Sequence, residues 1–298
     1  MVERSGRIVI ERSLGYSKLV TMGQRITVVD AFTHVAFAGN PAAVCVLSEP
    51  TTEAWMQSVA SEMKHSETAF CVLRTDGSVE LRWFTPTREV RLCGHATLAA
   101  AHVLWEEGWL APNKGVRFST LSGELIATPL GRQVELDFPA RPASETSAPA
   151  GLLESLGVSP TWIGRDDDDY LLLLANEEAV RACSPSFAAL AEIDIRGVTI
   201  TAPADHDQID FVSRFFAPRF GIDEDPVTGS AHCALAPFWA SRLGKTDLTA
   251  RQLSARGGEL DVALRGDRVT LRGTCITTLR GNLTESAPRA SSWSREGS

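Results

Sequence analysis

The chain has 298 residues, 44% hydrophobic and 22% charged, with a formal net charge of −8. These values describe a globular chain long enough for about two domains. They exclude a nucleic-acid-binding surface, because no basic stripe is present. No run of 18 apolar residues exists to span a membrane.

Six cysteines, Cys45, Cys71, Cys93, Cys183, Cys233 and Cys275, are scattered without a CxxC pair. They read as small buried hydrophobes in a reducing compartment. The first 20 residues lack the apolar stretch and cleavage site of a signal peptide, so the expected location is the cytoplasm. Residues 1–24 precede the first periodic segment and are expected to form a flexible extension. Residues 284–298, rich in Ser, Ala and Arg, are expected to form a flexible tail.

In chain order, Ile26 to Phe32 is a β-branched strand and Gly39-Asn40-Pro41 a turn. Ala42 to Leu47 is a second strand. Thr52 to Lys64 carries helical spacing through Trp55, Val59 and Met63, with Thr51 or Thr52 as N-cap. Glu67 to Leu73 and Val79 to Phe84 are strands joined by an Asp76-Gly77 hairpin turn. The segment from Gly94 to Trp105 is apolar nearly all round, the mark of a buried helix, and Gly108 ends it. Strands follow at Val116 to Ser119, Glu124 to Thr128 and Val134 to Phe138. Residues 139–160 read as a connection and Asp166 to Asp169 as a solvated acidic loop. The second half then gives a strand at Asp210 to Phe216, a buried helix at Ser230 to Leu243, and strands near 251–254, 259–264 and 268–272.

This order repeats because part of the chain is written twice. At an offset of 135, residues 94–136 match residues 229–271 without a gap, and 11 of the 43 positions are identical. Upstream, Arg82-Trp83-Phe84-Thr85-Pro86 matches Arg214-Phe215-Phe216-Ala217-Pro218, with three extra residues in the second copy before its glycine. The expected fold is therefore α+β: two pseudo-repeated domains, 25–137 and 138–283, each a curved mixed β-sheet or barrel wrapped around a central apolar helix.

Each repeated glycine opens a helix, where unpaired N–H groups carry partial positive charge. Gly94-His95-Ala96 and Gly229-Ser230-Ala231 thus form two candidate seats for a carboxylate or phosphate. Asp225, placed by the alignment within the inserted segment, either complements the second helix or points into a cleft to bind an amine or hydroxyl. Glu67 opens an apolar strand, where desolvation raises a carboxyl pKa toward the range useful for a proton shuttle; capping or ion pairing is the alternative. His65, His102 and His232 fit no metal-ligand spacing, so no metal is expected, and the absence of GxGxxG offers no dinucleotide loop.

These motifs resemble the PhzF-type phenazine-biosynthesis-like proteins, which share the diaminopimelate epimerase fold. The likeness runs through Asp30-Ala31-Phe32-Thr33, Phe37 to Val44, Ser66-Glu67-Thr68-Ala69-Phe70 and Arg82 to Pro86. It continues through Glu89-Val90, Leu92-Cys93-Gly94-His95-Ala96-Thr97, Arg214 to Pro218 and Glu224 to Ala231. The resemblance implies a cofactor-independent isomerase, homodimeric, acting by acid/base proton transfer on a small carboxylic acid. It implies that Glu67 moves the proton and that His95, Asp225 and Ser230 bind the substrate, with Gly94, Gly229, Ala96, Cys93 and Thr228 around it. Epimerases of this fold use two cysteines, one before each glycine. Here those positions hold Cys93 and Thr228, which disfavours a two-thiol mechanism. Two alternatives stay open: an epimerase or racemase using Cys93 as one base, and a non-catalytic member that binds small acids or proteins.

Overall fold

A computed structural model describes residues 23–290, so expectations for 1–22 and 291–298 fall outside the described residues. The first half runs β1 (Arg25–Ala31), β2 (Asn40–Leu47), α1 (Glu53–Met63), β3 (Glu67–Leu73), β4 (Val79–Phe84), β5 (Glu89–Val90), α2 (Gly94–Glu106), β6 (Val116–Thr120), β7 (Gly123–Leu130) and β8 (Gln133–Pro139). A connecting segment holds β9 (Ser144–Glu145) and α3 (Leu152–Leu156). The second half runs β10 (Trp162–Arg165), β11 (Asp169–Leu173), α4 (Glu177–Ala182), α5 (Phe187–Ala191), β12 (Gly197–Pro203) and β13 (Phe211–Ala217). It ends with β14 (Ile222–Asp225), α6 (Gly229–Leu243), β15 (Asp247–Gln252), β16 (Gly258–Arg265) and β17 (Arg268–Asn282).

The architecture is the expected α+β arrangement. In the first half β1, β2, β3, β4, β6, β7, β8 and β17 pair in sequence, and β17 returns to β1, closing a ring. The β2–β3 and β4–β6 pairs are parallel and the rest antiparallel. Helix α2 fills this ring. Nine of its residues, His95 to Ala101 with Val103 and Leu104, are buried, as its all-round apolar sequence requires. The second half repeats the plan from β10 to β17, with β11–β12 and β13–β15 parallel and α6 inside. A single apolar core, including Leu98, Leu104, Phe118, Leu235 and Leu271, runs through both halves.

Each half lends its last strand to the other. Residues 268–274 of β17 pair with β16 and β8, and residues 275–282 pair with β1. Correspondingly β8 pairs with β17, and the chain then continues into β9, which pairs with β10. This is why β17 extends well past the strand expected at 268–272: its second stretch belongs to the first ring.

Outer helices complete the molecule. Helix α1, capped by the Thr52 side chain at the Trp55 N–H, lays Met56, Val59 and Ala60 over Phe70 and Phe84. In the second half α3, α4 and α5 cover Leu172, Ile200, Val212 and Phe216. Residues 284–290, assigned to the tail from sequence, are held in place: Thr51 Oγ1 donates to Pro288 O at 2.6 Å and the Ala290 N–H to Pro50 O at 2.9 Å. Asp169 also departs from the acidic-loop reading. It opens β11 in a buried position, accepts from Arg196 Nε at 2.9 Å, and burial pushes its carboxyl up to about 6. Among the described residues no helix is long and apolar enough to cross a membrane.

Candidate active site at the junction of two helix starts

The duplication brings α2 and α6 together start to start. A Cβ on Gly94 would lie 3.5 Å from the Gly229 Cα, and one on Gly229 would lie 3.4 Å from the Gly94 Cα. Two methyl groups would fill the gap between the helices. The residues before the glycines, Cys93 and Thr228, are extended; the Thr228 hydroxyl turns to Asp225 rather than to its own helix, and the Cys93 sulfur lies near the Ala96 N–H. The two positive helix ends therefore address one place.

Around this junction the structure gathers Glu67, Cys93, His95, Asp225 and Thr228, none more than 9% exposed. Ala96 is buried in the first turn of α2. Ser230, one residue into α6, is half-buried. Glu67 is carried at the start of β3, whose remaining residues, apolar except for buried Thr68, are anchored between β2 and β4. Its Oε2 lies 3.3 Å from His95 Nε2, close but off the line of a hydrogen bond, and Nε2 is left without a hydrogen-bond partner. Cys93 Sγ lies 3.5 Å from His95 Nδ1.

Asp225 enters from the second half. Its Oδ2 accepts from Thr228 Oγ1 at 2.6 Å and its Oδ1 from Asn40 Nδ2 at 2.8 Å. Strand register corrects its placement. Trp83 pairs with Val90 in the first half, and the matching Phe215 pairs with Asp225 in the second. Asp225 thus occupies the position of Val90, inside the repeat, and the extra residues lie before it around the 3₁₀ turn Pro218–Phe220. The matched ion pairs Arg82–Glu89 and Arg214–Glu224 fix the same alignment. Glu224 is spent on that pair and does not reach the junction.

Electrostatics separate the groups. Burial, reinforced by the charge of Asp225 and offset by a hydrogen bond from Cys93, pushes the Glu67 carboxyl up to about 8. Burial also raises Asp225, to about 6, against hydrogen bonds from Thr228 and Asn40 that favour its ionised form. Burial drives His95 down to about 3, so its imidazole is neutral. The Cys93 thiol is held well above its ordinary value by burial and by the nearby Glu67. A carboxyl that ionises just above neutrality beside a neutral imidazole is equipped to take and return a proton.

Two residues of the junction were missed from sequence. Asn40, read as part of a turn and of the family motif but given no role, is fully buried and bridges Asp225, Val227 O and His95 Nδ1. Gln252, also fully buried, receives the Thr228 N–H on Oε1 at 2.9 Å and donates Nε2 to Asp225 O at 2.7 Å. The signal for Gln252 is legible in hindsight: Leu248, Ala250 and Gln252 are the inward positions of β15, and a polar residue ends that series. Glu67, Cys93 and His95 also bring three donor atoms within 4.8 Å of one another, a geometry able to hold a cation. Linear spacing carries no hint of it, and the two helix starts oppose positive charge there. An open cavity of about 450 Å³ lies between the 32–38 loop and β15–β16, lined by Phe32, Arg251 and Arg256 among others, and none of the junction residues borders it.

The family model for phenazine biosynthesis-like proteins matches residues 29–281. An uncharacterized isomerase of Halalkalibacterium halodurans is 49% identical over 259 residues, covering 87% of this chain and 97% of the relative. The crystal structure of a PhzF-family protein of Enterococcus faecalis superposes with a TM-score of 0.82 at 41% identity, covering 87% and 98% of the two chains. A predicted epimerase of Pseudomonas aeruginosa, 21% identical, shares the fold with a TM-score of 0.68 over 88% of this chain and 99% of its own.

Proposed function

The chain belongs to the phenazine biosynthesis-like protein family, and from that premise we propose that it is a cofactor-independent isomerase of a small carboxylic acid, with Glu67 as the proton-carrying group. The observation that supports this most is the gathering of Glu67 from one half and Asp225 from the other about a neutral His95, with Asn40 linking Asp225 to the imidazole, where two helix starts meet.

In this reading the substrate carboxylate rests on the backbone N–H groups at the two helix starts, His95-Ala96 and Ser230-Ala231, beside Gly94 and Gly229. Ionised Glu67 takes a proton from one substrate carbon. The electron pair left behind shifts within the substrate, and Glu67 returns the proton to a second carbon. No net oxidation or reduction occurs. His95 donates a hydrogen bond to the substrate oxygen that gains negative charge, and Asp225 orients an amine or hydroxyl. Positioned acid/base transfer of this type contributes roughly 10²–10⁴ in rate.

The second reading, with Cys93 as a base, is supported less: its thiol is held well above its ordinary value, and Thr228 at the matching position commits its hydroxyl to Asp225. The reading is tested by incubating the protein in D₂O with a panel of small amino, hydroxy and cyclic unsaturated carboxylic acids and following deuterium uptake by mass spectrometry. Uptake at a carbon-bound position of at least one acid supports an isomerase. Binding of panel acids with no uptake in any of them points instead to a non-catalytic binding protein.

A further inference from the structure

We propose that Asn40 is a positioning residue that fixes the tautomer of His95, keeping the imidazole proton on Nε2, toward Glu67. This rests on the proton-shuttle reading above but has its own test.

Asn40 opens β2 in a fully buried position, on a loop pinned to the second half. The Gly39 N–H donates to Gly257 O, the Glu259 N–H donates to Phe32 O, and Arg256 donates to the carbonyls of Ala38 and Gly39. The side chain therefore reaches His95 and Asp225 from a backbone held by both halves.

The orientation of its amide is forced. Nδ2 lies 2.8 Å from Asp225 Oδ1, 2.9 Å from Val227 O and 3.1 Å from His95 Nδ1. Turning the amide over would aim its oxygen at a carboxylate and a carbonyl. With Nδ2 so placed, a proton on His95 Nδ1 would meet an amide that can only donate, leaving the Cys93 sulfur at 3.5 Å, a weak acceptor, as its sole outlet. The Nδ1 lone pair faces Asn40, whose two amide protons are shared among Asp225, Val227 and this nitrogen, and the single proton of the neutral ring goes to Nε2, 3.3 Å from Glu67 Oε2. Asn40 Oδ1, meanwhile, is buried without a partner, an arrangement that a residue serving only the fold would avoid. One amide thus ties the imidazole of the first half to the carboxylate of the second.

The test is ¹⁵N NMR of histidine-labelled protein without ligand, with His95 assigned by loss of its signals in His95→Gln. The wild type is expected to show neutral His95 protonated on Nε2. Asn40→Asp supplies an acceptor and is expected to move the proton to Nδ1, and Asn40→Ala to abolish the Nε2 preference. A wild-type ring protonated on Nδ1 overturns the proposal, as does an unchanged Nε2 tautomer in a folded Asn40→Ala. Should both variants unfold, the wild-type spectrum alone decides. None of these readouts depends on turnover, so failure of the isomerase reading stays distinguishable from failure of this one.

Discussion

Glu67 and Gly197 occupy equivalent positions in the two halves. Thr68 pairs with Phe84 across β3–β4, and Val198 pairs with the matching Phe216 across β12–β13, so the residues before them correspond. A Cβ on Gly197 would lie 2.3 Å from the Phe215 ring. The second half therefore has no room for a counterpart of Glu67, just as the first half holds Val90 where the second holds Asp225. The duplication supplies symmetric helix starts and asymmetric chemistry.

Gly197→Ala is expected to destabilise the fold by about 1–3 kcal/mol, the usual cost of overpacking a filled site. Phe215 is 5% exposed and has little space to withdraw. Urea denaturation measures this, and an unchanged midpoint would show that the ring yields freely.

The raised carboxyl of Glu67 makes stability depend on pH. Its value in the folded protein is about 8 against an ordinary 4.5, so between these values the native state binds more protons than the unfolded chain. The contribution is fully present below about pH 4.5 and is lost as pH rises through about 8. Glu67→Gln removes this dependence. The variant should gain melting temperature relative to wild type between pH 5 and pH 9, and a constant difference over that range would contradict the burial argument.

The same group sets the pH profile of any turnover found. Activity that needs ionised Glu67 should rise with pH through about 8. Asp225→Asn removes a like charge that raises Glu67, so the limb should move to lower pH even as the rate falls. A limb that stays in place would separate the two carboxyls electrostatically.

Gly94→Ala places its Cβ at ordinary contact distances, 3.5 Å from the Gly229 Cα and 3.9 Å from the Phe138 ring. The fold should survive, while a methyl group in the gap between the helix starts should cut turnover roughly 10²-fold or more, as removal of preorganised donors does. Circular dichroism and isotope exchange together check this, and full exchange in a folded variant would remove the helix starts from substrate binding.

Much of this arrangement was legible before the structure. The all-round apolar helices and the repeated glycines pointed to two like halves meeting at helix starts, because burial and duplication are written in residue type and spacing. Strand exchange was not legible, since the second stretch of β17 carries half-exposed residues and pairs with β1, some 250 positions away. The outer helices α3 to α5 went unassigned because they are five or six residues long, too short to show a period. Asp225 was assigned to the insertion because only Glu224 matches Glu89 by identity around it, and strand pairing was needed to fix the alignment. Asn40 lies in a Gly-Asn-Pro sequence that reads as a turn, where asparagine has a sufficient local reason to occur, whereas in the structure it opens β2.

The account turns on Glu67. Its most direct test is deuterium uptake into a turned-over carboxylic acid by wild type, Glu67→Gln and Cys93→Ala, with binding of that acid measured in parallel by calorimetry. The account predicts that Glu67→Gln binds the acid and exchanges nothing while Cys93→Ala still exchanges. Exchange at the wild-type rate in Glu67→Gln, or its abolition in a folded Cys93→Ala, would contradict it.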